Sequence, residues 1–138
     1  MLIKNNTKEK ITSSGDVAQI CNSILNAEHV TDQGKEHWWV IGLNTQNQIS
    51  YVELVGLGLS SSCPVAPKET FRLAIMKNVD SIICVHNHPS GCVEPSTEDH
   101  KVTTLIKKAG KILLIPLLDH IIIGDNGAYY SFSDTGNL

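Results

Sequence analysis

Two histidines stand two residues apart, at His86 and His88, and a turn-rich run carries the chain from them to Ser96 and Asp99. The residues just before them, Ser81-Ile82-Ile83-Cys84-Val85, are mostly apolar and β-branched, which reads as a buried strand. Alternation along a strand puts residues i and i+2 on one face, so both imidazoles leave the strand's end toward one spot. Asp99 arrives from a different element. Ser96 precedes it by three residues, and Val102, Leu105, Ile106 and Ala109 recur at helical spacing up to Gly110, so Ser96 reads as an N-cap and Asp99 lies in the first helical turn. Two imidazoles and a carboxylate are three ligands for a zinc ion. The fourth tetrahedral position is left open, which is the arrangement of a catalytic rather than a structural site.

Simpler accounts exist for each part. Ser96-x-x-Asp99 is a capping box whether or not a metal is near, and a His-x-His pair fits a surface or a hydrogen-bonded core. The combination is more specific. Asn87, Pro89, Ser90 and Gly91 crowd the turn directly after the strand, the place where an α/β sheet presents its chemistry.

His86-x-His88, then Ser96 after seven residues and Asp99 after two more, is similar to the His-x-His-x7-Ser-x2-Asp core of the JAMM (JAB/MPN) metallohydrolases. His88-Pro89-Ser90-Gly91, Pro95-Ser96 and Leu118-Asp119-His120-Ile121-Ile122-Ile123-Gly124 resemble the RadC branch of that superfamily, and the likeness runs from about Asp16 to Phe132. It implies an α/β fold with a mixed central β-sheet flanked by helices, the cytidine-deaminase-like JAB/MPN architecture. It implies zinc held by His86, His88 and Asp99, and hydrolysis of an amide or peptide-like bond. By residue type alone Glu36, Glu53 and Glu69 are equal candidates for the general base, and the resemblance selects Glu36, at the entry of a strand. Ser96 would donate its hydroxyl to the developing oxyanion, a duty set against its role as a cap. The RadC branch adds an association with DNA repair but no secure substrate, and full-length members carry a helical segment ahead of the metal domain, so the sequence reads as a short form. Cys92 and Val93 stand where relatives often have Asp and Pro, and Lys68 where they have Arg.

The elements that must position these residues follow from pattern. Residues 1–13 lack periodicity and read as a disordered lead-in to one domain over residues 14–138. Val17, Ile20, Cys21, Ile24 and Leu25 mark an amphipathic helix from Asp16 to about Asn26. Glu36 to Leu43 and Gln48 to Val55 form a hairpin around Asn44-Thr45-Gln46-Asn47. Gly56, Gly58 and Ser60-Ser61-Ser62 make a flexible connection to a helix opened by Pro67 and running toward Asn78. After the helix that ends at Gly110, Lys111 to Ile123 supplies one or two buried strands broken at Pro116, and Ala128 to Phe132 a last one. Asp119 and His120 lie inside that apolar run, either as partners that orient a metal ligand or as an ordinary hydrogen-bonded pair, and they are left out of the site.

Composition narrows the partners. With 11 Lys plus Arg against 14 Asp plus Glu, the net charge of −3 lacks the positive excess of a direct nucleic-acid binder. No apolar run has signal-peptide or membrane-helix length, so a cytoplasmic protein without a membrane partner is expected. Cys21, Cys63, Cys84 and Cys92 match neither a disulfide framework nor a CxxC zinc site and are expected reduced, Cys84 as a small buried hydrophobe. The expected partner is a peptide-like substrate or a protein, and exposed strand edges are compatible with a homodimer. Three functions stay open: a zinc hydrolase, a zinc-stabilised interaction module without catalysis, and a DNA-repair-associated protein.

Overall fold

In the computed structural model, which describes residues 1–58 and 65–138, the chain runs β1 (Leu2–Asn5), α1 (Ser14–Asn26), α2 (Val30–Gln33), β2 (His37–Leu43), β3 (Ile49–Leu57), α3 (Pro67–Met76), β4 (Ser81–Asn87), α4 (Thr97–Leu113), β5 (Leu117–Ile123) and β6 (Tyr129–Ser131). β2 and β3 reverse through Asn44, whose side-chain oxygen accepts the N–H groups of Gln46 and Gln48, while Asn47 takes the left-handed conformation that Asn tolerates. The six strands make one sheet in the order β1-β3-β2-β4-β5-β6. β4 and β5 are parallel and joined by α4, and the other neighbours are antiparallel. A parallel pair needs a crossover, so the end of β4 and the start of α4 lie together at one edge of the sheet.

Period-two alternation divides the core between the two faces. Trp39, Ile41, Ile83, Val85, Ile121 and Ile123 pack with Val17, Ala18 and Cys21 of α1. Trp38, Val40, Ile82 and Cys84 pack with Phe71 and Ala74 of α3 and Ile106 of α4. Every residue of β2 and β4 is buried, as expected of central strands covered by helices on both sides. Each fully buried large apolar side chain contributes about 1.5–3 kcal/mol, so these two strands anchor the fold. Among the described residues no helix is long and apolar enough to cross a membrane. The expected mixed α/β sheet flanked by helices is present.

Three local expectations are corrected. The lead-in is an edge strand: Leu2 to Asn5 pair with Tyr51 to Glu53, and Ile11 is buried under α1. Its apolar residues are too few to show a period, but β3 offers an unpaired edge that they satisfy. The helix does not stop at Gly110. It runs to Leu113 and closes when Leu114 takes φ +60, with Leu114 N–H on the Lys111 carbonyl and Ile115 N–H on the Gly110 carbonyl. Gly110 serves packing instead, because a Cβ there would lie 2.6 Å from the Ile115 carbonyl oxygen. Lys111 to Leu114 are therefore helix and cap, and Leu117 to Ile123 form a single strand. The short helix α2 lies between α1 and β2, with the His29 ring nitrogen accepting the Thr31 N–H at its start. The proposed connection through Ser60, Ser61 and Ser62, and Cys63 with it, fall outside the described residues.

Candidate metal centre

β4 delivers His86 at its buried end and His88 two residues on, so their side chains share the α3/α4 side of the sheet. α4 delivers Asp99. The Ser96 hydroxyl oxygen accepts the Asp99 N–H at 3.1 Å while Asp99 Oδ2 accepts the Ser96 N–H at 2.8 Å, a capping box that fixes the carboxylate at the helix start. The three side chains converge. His86 Nε2 lies 3.1 Å from Asp99 Oδ1, His88 Nε2 lies 3.1 Å from Asp99 Oδ2, and the two Nε2 atoms are 3.0 Å apart. His86, His88 and Asp99 thus form a group that could hold a metal ion.

The donor set fits such an ion. His88 Nδ1 faces the Cys92 carbonyl oxygen at 2.7 Å, and a carbonyl only accepts, so Nδ1 carries hydrogen and a neutral His88 ring has a bare Nε2. That bare nitrogen points at an Asp99 carboxylate oxygen, which also only accepts. A cation between them, a proton or a metal ion, is what relieves two facing lone pairs. Ligands about 2.0–2.1 Å from a tetrahedral zinc stand about 3.3 Å apart, within about 0.3 Å of the spacing found here.

Electrostatics agree. Asp99 is pushed up by burial, but the hydrogen bonds with His86 and His88 outweigh it and hold the carboxyl well below the usual carboxylate range. The hydrogen bond to Asp99 raises His88 above its ordinary value, and the charge of Glu36 adds to that rise. Glu36 is therefore within electrostatic reach of His88, although it is not one of the three converging ligands. It is half-buried at the entry of β2, where Trp38 pairs with His86 in register and stacks on its ring at 5.8 Å.

The other carboxylates lie elsewhere. Glu53 is buried on β3, which β2 separates from β4, with Oε2 3.7 Å from Arg72 of α3. Glu69 is exposed in the first turn of α3. Ser96 keeps both of its expected duties compatible, since the cap uses a lone pair of Oγ and leaves the O–H proton for another acceptor. Cys84 is a buried thiol pushed up by burial, as a small hydrophobe should be, and Cys92 is exposed.

One group escaped the sequence, the Asn87 clamp with His37, while His120, left open there between an orienting partner and an ordinary hydrogen-bonded pair, gains definite contacts. Asn87, between the ligands, accepts the His37 N–H on Oδ1 at 2.6 Å and donates through Nδ2 to the Lys35 carbonyl at 2.9 Å, so it grips the backbone on both sides of Glu36. Its position inside His-x-His was visible, but nothing in that position says that its amide crosses to β2. His37, stacked on Trp39, reinforces the grip by donating from Nδ1 to the same Lys35 carbonyl at 2.7 Å. His120 lies fully buried with Nε2 2.7 Å from His86 Nδ1. Burial keeps its imidazole well below the ordinary histidine range, hence neutral. Asp119, pushed up by burial, accepts from the His120 N–H, the Ser133 N–H and the Ser131 hydroxyl, which makes it the anchor of the chain after β6.

Known proteins share this arrangement of sequence. The model of the RadC-like JAB domain matches residues 11–137. Among curated relatives, a UPF0758 protein of Chlorobium phaeovibrioides is 43% identical over 135 residues, which is 98% of this chain and 58% of the relative. One from Pelodictyon phaeoclathratiforme is 45% identical over 133 residues, 96% of this chain and 57% of the relative. One from Clostridium kluyveri is 43% identical over 133 residues, 94% of this chain and 58% of the relative. The chain thus spans less than three fifths of the length of these relatives. With the family match running across β2, β4 and α4 and through every residue of the converging group, the chain belongs to the RadC-like JAB domain family.

Proposed function

We propose that this domain is a zinc-dependent hydrolase of the JAMM type, acting on an amide or peptide-like bond. The observation that carries the proposal is the convergence of His86 Nε2, His88 Nε2 and an Asp99 carboxylate oxygen, with at least one bare nitrogen facing an acceptor. When bound, zinc supplies Lewis acidity that makes water nucleophilic near neutral pH and polarises a carbonyl. His86, His88 and Asp99 hold it, and three protein ligands leave a position for chemistry.

Glu36 takes the proton of the attacking water and passes it to the leaving nitrogen as the carbon–nitrogen bond breaks. Asn87 and His37 pin the peptide units around Glu36, so the carboxylate is presented from a fixed backbone. The Ser96 hydroxyl, already oriented by its cap, donates to the carbonyl oxygen as negative charge grows there.

Elemental analysis of purified protein tests the centre first: about one zinc per chain in wild type and essentially none in His88→Ala. Turnover on a panel of peptide and isopeptide substrates tests the chemistry, with Glu36→Gln expected to keep its zinc and lose about 100-fold or more in kcat. Equal turnover of Glu36→Gln and wild type removes Glu36 as the base. Zinc whose removal unfolds the domain, with no bond cut by any loaded sample, would instead favour the interaction module.

A further inference from the structure

His120 lies on β5 opposite Cys84, so it faces the same side of the sheet as His86. Neither of its ring nitrogens is free: Nε2 is 2.7 Å from His86 Nδ1 and Nδ1 is 2.5 Å from Thr103 Oγ1. Thr103 sits one turn along α4 from Asp99, and its hydroxyl lies 2.8 Å from the Asp99 carbonyl oxygen. The ring is also clamped in orientation. Phe132 lies parallel to it at 4.7 Å, and Trp38 meets it edge-on at 5.1 Å.

The proton positions follow once His86 coordinates through Nε2. A neutral imidazole with a bare Nε2 carries its hydrogen on Nδ1, and the partner at that atom is His120 Nε2, which must then accept. His120 accordingly holds its hydrogen on Nδ1 and donates it to Thr103 Oγ1. Thr103 must then send its own hydroxyl hydrogen elsewhere, and the Asp99 carbonyl, which only accepts, is in place to receive it. The opposite direction, Thr103 to His120 to His86, would spend the single Thr103 hydrogen on His120 and leave the Asp99 carbonyl facing a bare hydroxyl oxygen, so the geometry selects the first direction.

We propose that His120 and Thr103 are positioning residues of the metal centre, a hydrogen-bond relay that fixes His86 in the tautomer with Nε2 bare. It rests on the metal site proposed above. Neither residue touches the metal or a substrate. The helix that supplies the carboxylate ligand thereby also sets the hydrogen of the first imidazole ligand, through its own backbone carbonyl. Outer partners of this kind change metal affinity by about 10- to 100-fold when removed.

Two measurements test it. Long-range proton–nitrogen correlation spectra of the imidazoles, taken on the zinc-loaded full chain, should show His86 and His120 both protonated at Nδ1. His120 protonated at Nε2 in loaded protein would overturn the relay. Zinc affinity by competition with a chromophoric chelator should fall about 10- to 100-fold in His120→Phe, which keeps the stacking but not the acceptor, and about tenfold in Thr103→Val, with recovery in Thr103→Ser. Should His120→Phe fail to fold, the Thr103 pair still decides, since valine and serine separate packing from the hydroxyl. Wild type that takes no zinc overturns the metal site and the relay together, whereas zinc bound equally by wild type and Thr103→Val overturns the relay alone.

Discussion

Asn87→Ala is the sharpest probe of how Glu36, the proposed base, is held. The side chain is 3% exposed, and its amide makes two hydrogen bonds to the backbone on either side of Glu36, 2.6 Å to the His37 N–H and 2.9 Å to the Lys35 carbonyl. The Lys35 carbonyl keeps a partner after truncation, because His37 Nδ1 still donates to it. The His37 N–H does not. Losing two hydrogen bonds at about 0.5–1.5 kcal/mol each, with a buried donor left unpaired, gives a loss of about 2–4 kcal/mol. That corresponds to a Tm lower by about 6–16 °C for a domain of this size. Urea unfolding and thermal melts followed by circular dichroism measure it. Zinc content should stay near wild type, because the amide bonds to His37 and Lys35 and to none of the three proposed ligands. Turnover should fall about 100-fold, as expected when a catalytic group loses its placement by an ångström or so. Wild-type stability and turnover in Asn87→Ala would refute the clamp, and loss of zinc in step with turnover would show that Asn87 acts on the ligands instead.

Metal-free protein should carry a pH signature of the His88–Asp99 pair. His88 is raised by its hydrogen bond to Asp99, so its contribution to stability is complete below the unfolded histidine value near 6.5 and lost as pH rises through the higher folded value. Asp99 is depressed, so its contribution is present above the unfolded value near 3.9 and lost as pH falls through the lower folded value. Melts of chelator-treated protein should therefore show this pair's stabilisation between about pH 4 and 6.5, and Asp99→Asn should abolish it. Zinc competes with the same protons, so affinity should fall as the pH is lowered through the raised His88 value, which calorimetry in buffers of different ionisation enthalpy will register as proton release. Gly110→Ala should destabilise by about 1–3 kcal/mol despite the better helix propensity of alanine, because the added Cβ meets the Ile115 carbonyl oxygen at 2.6 Å. Gly91→Ala should weaken zinc binding without unfolding the sheet: Gly91 has φ +86, a backbone conformation that alanine resists, so the loop that carries Cys92 toward His88 is strained. Equal zinc affinity in Gly91→Ala and wild type would show that the loop does not tension His88.

Much of the fold was legible because its signals are local. The β-branched run before His86, the Asn-rich reversal between two apolar stretches, and Pro67 at the head of a helix are each set by neighbours in the chain. The errors fell where distant groups decide. Gly110 reads as a helix stop, yet its missing side chain answers the backbone of Ile115 and the ring of Phe71, and the stop is made four residues later by Leu114 in a conformation that glycine usually takes. The first residues look structureless because order comes to them from the exposed edge of β3.

The candidate site divides the same way. Sequence by itself determined the candidate ligand types, the shared face of His86 and His88, and the cap that turns Asp99 back toward the loop, since each follows from strand alternation or from one helical turn. The parallel pairing of β4 with β5 decided that His120 would meet His86, and the antiparallel pairing of β2 with β4 decided that Asn87 would grip the backbone at Glu36. Hydrogen bonds across strands depend on register, which is fixed when two buried faces are packed together, and no window of contiguous residues contains that information.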